Sequence, residues 1–361
     1  MPRSASTPRI LIVGAGLAGA SAAWHLKKAG HNILVLDTSQ DDIRASGIGG
    51  GLANPMMAQK GRPTWMARAA LDMLDTMGVD TSPRPLDRTE TMAAILRPAR
   101  DADQAEAFRN EAAEHADLGT FVESSDCLPW SSWLNVQHGA LLVHRGAALD
   151  LRKTAQGWLG ETEPVLVDAD WHAEESGQGV TVISSGQRFE GTHLLLCMGY
   201  GMLTHPLTRT LKLHGIKGQI IRLEKPEGLP DPLPPISSWA YLVDAGDGTV
   251  WVGSTFERDW ATSGPTAAAT RTLQERAGDV IPALRGAPVL EARTGIRVTV
   301  PGTRRPMVGP LRPGSRIHVL TGLGARGALH SAWLGAQIPG FFNNPEAIPE
   351  VCRVVHRTAA S

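Results

Sequence analysis

The spacing of apolar residues changes twice within the first forty positions, and the changes predict a strand, a helix and a second strand. Arg9 to Val13 are a short apolar run, Leu17 to Lys28 repeat apolar and small residues at helical spacing, and a second apolar run ends on Asp37 and Thr38. Between the first strand and the helix stands GAGLAG, with Ala15, Leu17 and Ala18 set among three glycines. Gly14 lets the chain turn sharply out of the strand, Gly16 lets the backbone approach a pyrophosphate, and Gly19 allows the helix to pack on the strand. The helix N-terminus then faces the phosphates. Asp37, about 20 residues after the glycines, is placed to accept hydrogen bonds from adenosine ribose hydroxyls. The motif implies a dinucleotide and does not separate FAD from NAD.

Residues 41–63, DDIRASGIGGGLANPMMAQKGRP, hold too much glycine for a helix or a strand interior and read as a long ordered loop. Thr64 to Met77 return to helical spacing, with Trp65, Ala69, Met73 and Met77 on one stripe expected to pack in the core. A mixed stretch follows to Leu142, containing one charged helical segment, DADQAEAFRNEAAEHADLG. A helix is expected from Ala148 to Trp158, then strand-like PVLVDADW, the pair GVTVISSGQRFEG and the apolar run HLLLCMGYG. His214 to Leu223, Trp239 to Val243 and Thr249 to Thr255 read as strands, the last two joined in an antiparallel hairpin by AGDG. The proline-rich EKPEGLPDPLPP cannot lie inside a sheet and is expected as an exposed loop. Thr266 to Ala277 is helical and Leu290 to Val300 a strand, and IHVLTGLGARGALHSAWLGAQIPG repeats the opening order of strand, glycine turn and helix.

At 361 residues the chain exceeds the roughly 250–300 at which a single core stops growing, so two domains or one elaborated domain are expected. Apolar residues make up 42% and charged residues 20%, which excludes a disordered chain. The net charge of −1 gives no global field toward nucleic acid or anionic lipid. Cys127, Cys197 and Cys352 show neither CxxC nor Cys/His metal spacing, so no metal is expected and a reducing, cytoplasmic location fits best. The opening MPRSASTPR is neither a signal peptide nor a membrane span.

Two phosphate-style turns far apart in one chain are hard to explain with NAD, whereas an extended FAD accounts for both. Backbone N–H groups at Gly327, Ala328 and Leu329, after the turn residues Gly324 and Ala325, would stabilise negative charge on a reduced flavin, and Arg326 would add a full cation. Five blocks together resemble the glycine oxidase and D-amino-acid oxidase group of FAD-dependent amine oxidoreductases. They are GAGLAG with Asp37; RASGIGGGLANP; KGQ at Lys217 to Gln219 with GST at Gly253 to Thr255; TGIR ending at Arg297 with RPMVGP; and TGLGARGAL. Within the group, the RASG and GARG blocks look most like the oxidase half of the bifunctional wobble-uridine tRNA modification enzyme, whose methyltransferase half has no counterpart in these residues.

The resemblance implies an α/β fold, with a Rossmann-type FAD-binding domain and a second, mainly antiparallel α+β substrate domain. The expected bounds are 1–78, 145–213 and 290–361 for the first, 79–144 and 214–289 for the second. It also implies non-covalent FAD, with Ala45, Ser46, Gly50, Gly51 and Leu52 along the pyrophosphate and flavin and Met198 and Gly199 under the cofactor. A strand near Asp170 and Trp171 would pass the adenine. Arg297 would bind a substrate carboxylate and Tyr241 would face the substrate. The implied reaction takes a hydride from the carbon bearing a small amine or amino acid to flavin N5, followed by imine hydrolysis. An amine that binds neutral needs no dedicated base, and none is assigned. A buried carboxylate calls for a cation that stays charged, and guanidinium offers a bidentate fork. Arg293 shares a strand face with Arg297 and is read as an ordinary ion pair. Lys217, His205, His214, His318 and His330 are read as solvated or structural, while Trp239 and Trp251 could wall the pocket or pack the sheet.

Two other functions remain open. One is removal of a carboxymethyl group from a tRNA wobble uridine, which needs a basic track; Arg84, Arg88, Arg97 and Arg100 are its candidates, interleaved with Asp87, Glu90 and Asp101. The other is nucleotide binding without redox chemistry. The oligomeric state carries no signature in the sequence.

Overall fold

A computed structural model describes residues 9–38, 43–85 and 92–356. The chain forms two compact units, the first from Met1–Gly47, Arg152–Ile216 and Gly295–Ser361, the second from Ile48–Leu151 and Lys217–Thr294.

The first unit is built on a six-stranded sheet. Its order is Val165–Val167, β2 (Asn32–Thr38), β1 (Arg9–Val13), His193–Leu196, Ile317–Thr321 and Met307–Pro310. The first five strands run parallel and the last is antiparallel to its neighbour. β1 is central and reads as a continuous apolar run because both faces are covered. Helix α1 (Leu17–Lys28) is buried along most of its length, since helix Gly327–Asn343 packs on it. The two helices approach closely: a Cβ on Gly335 would lie 2.1 Å from Ser21 Oγ. A three-stranded antiparallel sheet, His172–Glu175, Val180–Ser184 and Gln187–Gly191, extends this unit.

The second unit holds a mainly antiparallel eight-stranded sheet, including the expected hairpin of Tyr241–Asp244 and Thr249–Gly253. Its core gathers Leu96, Leu142, Ile221, Leu242 and Val252 from the sheet with Leu273 and Ala277 of helix Ala267–Val280. The charged segment forms helix Ala102–Glu114, capped by the Asp101 side chain accepting from the Gln104 N–H.

Several expectations are corrected. Residues 41–63 are not all loop, because β3 (Gly50–Ala53) pairs antiparallel with Ala147–Asp150. Its glycines serve close packing: a Cβ on Gly50 would sit 3.0 Å from the Trp251 side chain, and one on Gly51 3.0 Å from Leu151. That pairing also makes Ala147–Asp150 a strand, so the helix expected from Ala148 begins at Leu151, and it carries residues 48–78 into the second unit. Helix α2 (Ala67–Thr76) buries Ala67, Ala70, Leu71 and Leu74, leaving Trp65, Ala69 and Met73 half-exposed. Burying branched leucines sets the phase, and only Met77 of the expected stripe reaches the core. The proline-rich loop is not wholly exposed: Leu233 is buried, and Lys225 is held by Asp231 at 2.6 Å and Asp244 at 2.8 Å.

Two histidines of the first unit link its stability to pH. Burial, with Lys28 nearby, pulls His25 down to about 4. Burial and the neighbouring His193 pull His318 to about 4, against a weaker upward effect of Glu175. Both are neutral when folded and protonate in the unfolded chain below about 6.5, so the stability tied to their neutral forms is complete above that pH and lost on acidification toward 4. Urea midpoints should be flat above about pH 7 and fall between pH 6.5 and 4. His318→Gln should make that fall shallower, as measured by equilibrium unfolding at each pH.

Candidate cofactor and substrate site

In the first unit, Gly14 adopts a φ of +109°, and a Cβ there would lie 2.4 Å from the Cys197 carbonyl oxygen. Its N–H donates to the Leu36 carbonyl at 2.8 Å, closing the turn between β1 and α1. A Cβ on Gly19 would fall 1.8 Å from the Gly14 carbonyl oxygen, so only glycine lets α1 start this close to the strand. Gly16 is the N-cap of α1, and no side chain caps that end. The N–H groups of the first turn, through Leu17 and Ala18, are thereby left to an anion. Ser46 approaches here: its Oγ is 2.9 Å from where a Gly16 Cβ would be, bringing the Ala45–Ser46 block to the dinucleotide turn. Met198 and Gly199 also arrive, the Met198 nitrogen lying 3.1 Å from the Gly14 Cβ position.

Asp37 stands next to last in β2 and receives a hydrogen bond from Arg44 Nη1 at 2.7 Å, while Arg44 Nη2 donates to the Thr38 carbonyl at 3.1 Å. Arg44 was not singled out from the sequence, although it lies in the RASG block. Its segment is anchored by the Ile296 N–H donating to the Ile43 carbonyl at 2.9 Å. The strand beside Asp37 is Val165–Val167, with Leu166 opposite Asp37 and Val167 opposite Thr38. Asp170 and Trp171 are not on it. Asp170 is exposed in a turn, and Trp171 is buried, stacked on His205 with ring centroids 4.2 Å apart. The apolar triplet inside PVLVDADW is the segment that pairs with β2.

The second glycine turn follows strand Ile317–Thr321. Gly324–Arg326 form one short 3-10 turn leading into helix Gly327–Asn343, whose first residues Gly327, Ala328 and Leu329 again lack a side-chain cap. Both turns therefore leave the C-terminal ends of parallel strands of one sheet, with only His193–Leu196 between them, about 10 Å apart at ordinary strand spacing. Thr299 and Leu323 form an isolated bridge, and a Cβ on Gly324 would be 3.8 Å from the Thr299 side chain. Arg297, two residues earlier on strand Val289–Thr299, lies on the same strand face as Thr299.

In the second unit, Gly50, Gly51 and Leu52 form β3, and the Tyr241 hydroxyl donates to the Gly50 carbonyl at 2.9 Å. Trp251 packs against Gly49 and Gly50, with the Arg293 guanidinium 4.9 Å from its ring centre and Arg293 Nε paired with Glu291. Trp251 is a packing residue, whereas Trp239 is 47% exposed under the Arg100 guanidinium. Lys217 is not solvated: it is fully buried, with Nζ 3.2 Å from the Glu257 carboxylate. The basic track also fails locally. Arg97 is buried, donates to the Met56 and Ala58 carbonyls, and is pulled by burial, with Arg100 adding, to about 9. Arg84 faces Asp80 at 3.2 Å, and Asp87, Arg88 and Glu90 lie outside the described residues.

The chain matches the family described as "FAD dependent oxidoreductase" (DAO) across residues 9–338. It belongs to that family. This FAD-dependent oxidoreductase is 26% identical over 334 residues to the "tRNA 5-methylaminomethyl-2-thiouridine biosynthesis bifunctional protein MnmC" of Maricaulis maris, covering 91% of this chain and 51% of that protein. It thus spans about half the length of that relative. Glycine oxidase of Pseudomonas aeruginosa is 26% identical over 337 residues, covering 84% and 86% of the two chains. Among solved structures, iminodiacetate oxidase from Chelativorans sp. BNC1 shares the fold with a TM-score of 0.76 and 22% identity, over 97% of this chain and 100% of that one. Among the described residues, no helix of the oxidoreductase is long and apolar enough to cross a membrane.

The first turn and Asp37 fit an FAD: an uncapped helix start, a glycine where a side chain would meet Ser46, and a carboxylate whose Oδ2 accepts from Arg44. Asp37→Ala should raise the Kd for FAD by about tenfold or more, the usual worth of a hydrogen bond to a charged group, in reconstitution of the apoprotein followed by flavin fluorescence. Arg44→Gln should have a smaller effect.

Proposed function

We propose that this oxidoreductase oxidises the C–N bond of a small amino acid or N-substituted glycine. The observation that carries the reading is that Arg297 lies on the strand whose next same-face residue, Thr299, bridges Leu323 of the second glycine turn, in the unit that also holds the dinucleotide turn. When bound, FAD accepts the hydride from the carbon bearing the amine. The first turn with Ala45 and Ser46 would hold the pyrophosphate, and Asp37, oriented by Arg44, the ribose. Backbone N–H groups of the second turn would meet the flavin pyrimidine. Arg297 would grip the substrate carboxylate as a bidentate fork and so fix which hydrogen faces the acceptor. Gly50, Gly51 and Leu52 would line the cofactor, and Tyr241 would face the substrate.

Non-covalent FAD is supported by Cys197, whose burial pushes its thiol up, away from the reactive thiolate. Three free, buried thiols fit a reducing compartment such as the cytoplasm. The MnmC relatives favour one second reading, in which the amine is a carboxymethylamino group on a tRNA uridine.

The purified protein should be yellow and release its flavin on denaturation. Anaerobic addition of glycine, sarcosine or D-amino acids should bleach it; bleaching only by modified tRNA would select the second reading, and a colourless protein that takes up no FAD would overturn both. Arg297→Met should retain flavin while kcat/KM falls by about 100-fold, chiefly through KM. Loss of flavin instead would remove Arg297 from the substrate site.

A further inference from the structure

Neighbouring side chains of strand Thr249–Gly253 serve different clusters. Val250 and Val252 enter the main core of the second unit, whereas Trp251 between them joins a small separate cluster with Ile220 and Val243, on which Ile48, Leu52 and Tyr241 pack. Ile48 and Leu52 flank Gly49, Gly50 and Gly51, so this cluster is where the β3 segment meets the sheet. Gly49 and Gly50 lie along the indole itself. A Cβ on Gly50 would be 3.0 Å from Trp251 Cδ1, and one on Gly49 would be 3.2 Å from Cζ2 and 3.3 Å from Cε2, so the two residues span both rings of the side chain. The Tyr241 hydroxyl fixes the same stretch by donating to the Gly50 carbonyl at 2.9 Å.

The indole is clamped in turn. Arg222 stands directly opposite Trp251 on the neighbouring strand, its guanidinium carbon 5.7 Å from the ring centre, and that of Arg293 is 4.9 Å away. Both cations are themselves anchored. Arg222 Nε donates to Thr249 Oγ1 at 2.7 Å and its Nη2 pairs with Asp247, while Arg293 pairs with Glu291, whose Oε2 also lies 3.9 Å from Arg222 Nη1. Two arginines, held by a hydroxyl and two carboxylates, thus keep one indole against two glycines.

Resting on the proposed placement of Gly50, Gly51 and Leu52 along the cofactor, we infer that Trp251 is a positioning residue for FAD. Its indole sets the height of the Gly49–Gly50 backbone above the sheet, and with it how closely this segment meets the bound flavin. With no Cβ between ring and backbone, a change in the length of the ring passes directly into the backbone of a close-packed segment. Phenylalanine at 251 would still reach under Gly50 and would leave Gly49 unsupported, because it lacks the atoms corresponding to Cε2 and Cζ2 of the indole.

Trp251→Leu, Trp251→Phe and Val250→Ala test this through the Kd for FAD in reconstitution of the apoprotein, the visible absorption spectrum of the bound flavin and the urea midpoint. The Kd should rise about tenfold in Trp251→Leu and about threefold in Trp251→Phe, with the flavin absorption band displaced in both. Val250→Ala, on the same strand but in the main core, should lower the urea midpoint and leave both flavin readouts unchanged. An unchanged Kd and spectrum in Trp251→Leu, or a rise in Val250→Ala as large as in Trp251→Leu, would overturn the inference. If Trp251→Leu does not fold, Trp251→Phe decides by the same comparison. Amines that bleach the unaltered enzyme, together with normal FAD binding in the Trp251 variants, would sink this inference alone; weakened FAD binding in variants of an enzyme that no amine bleaches would sink the proposed reaction alone.

Discussion

Everything in the first unit depends on how close a helix can come to the strand that precedes it. Gly19 admits the Gly14 carbonyl into the space a side chain would fill, and Gly335 admits Ser21 in the same way between the two helices. With those approaches in place, both helices begin at one edge of the parallel sheet with their N–H groups free of side-chain caps. An elongated dianion such as the pyrophosphate of a dinucleotide meets a preformed positive end there, and no side chain has to move to make it.

The parts of the fold legible in the sequence were those whose physics is local. The GAGLAG turn, the closing carboxylate, the AGDG hairpin and the second glycine turn each follow from backbone requirements over a few residues. What misled was long-range. Glycines at 50 and 51 looked like loop until Trp251 and Leu151, far away in sequence, supplied the reason for them, and the stripe on α2 slipped because two sets of positions share nearly the same period. Arg44 and Lys217 escaped for a related reason: a cation's partner, Asp37 or Glu257, is chosen by folding and leaves no trace at the cation itself.

Charge distribution tells a parallel story. A chain close to neutral can still concentrate cations, provided acids are kept out of one stretch, and the stretch from Gly295 to Pro345 does so next to the turn that the proposed chemistry uses. The second unit treats its arginines differently, burying Arg97 against carbonyl groups and laying Arg293 on an indole, where each organises backbone or packing.

The first unit's sheet joins β1 to His193–Leu196 and that strand to Ile317–Thr321, so its centre is assembled from three widely separated parts of the polypeptide. On a ribosome adding roughly 5–20 residues per second, the opening strand would wait about 10–40 seconds for His193–Leu196, its last parallel neighbour. Throughout that interval an apolar edge stays unpaired, and nascent chains of this protein should depend on holdase chaperones far more than the finished molecule does.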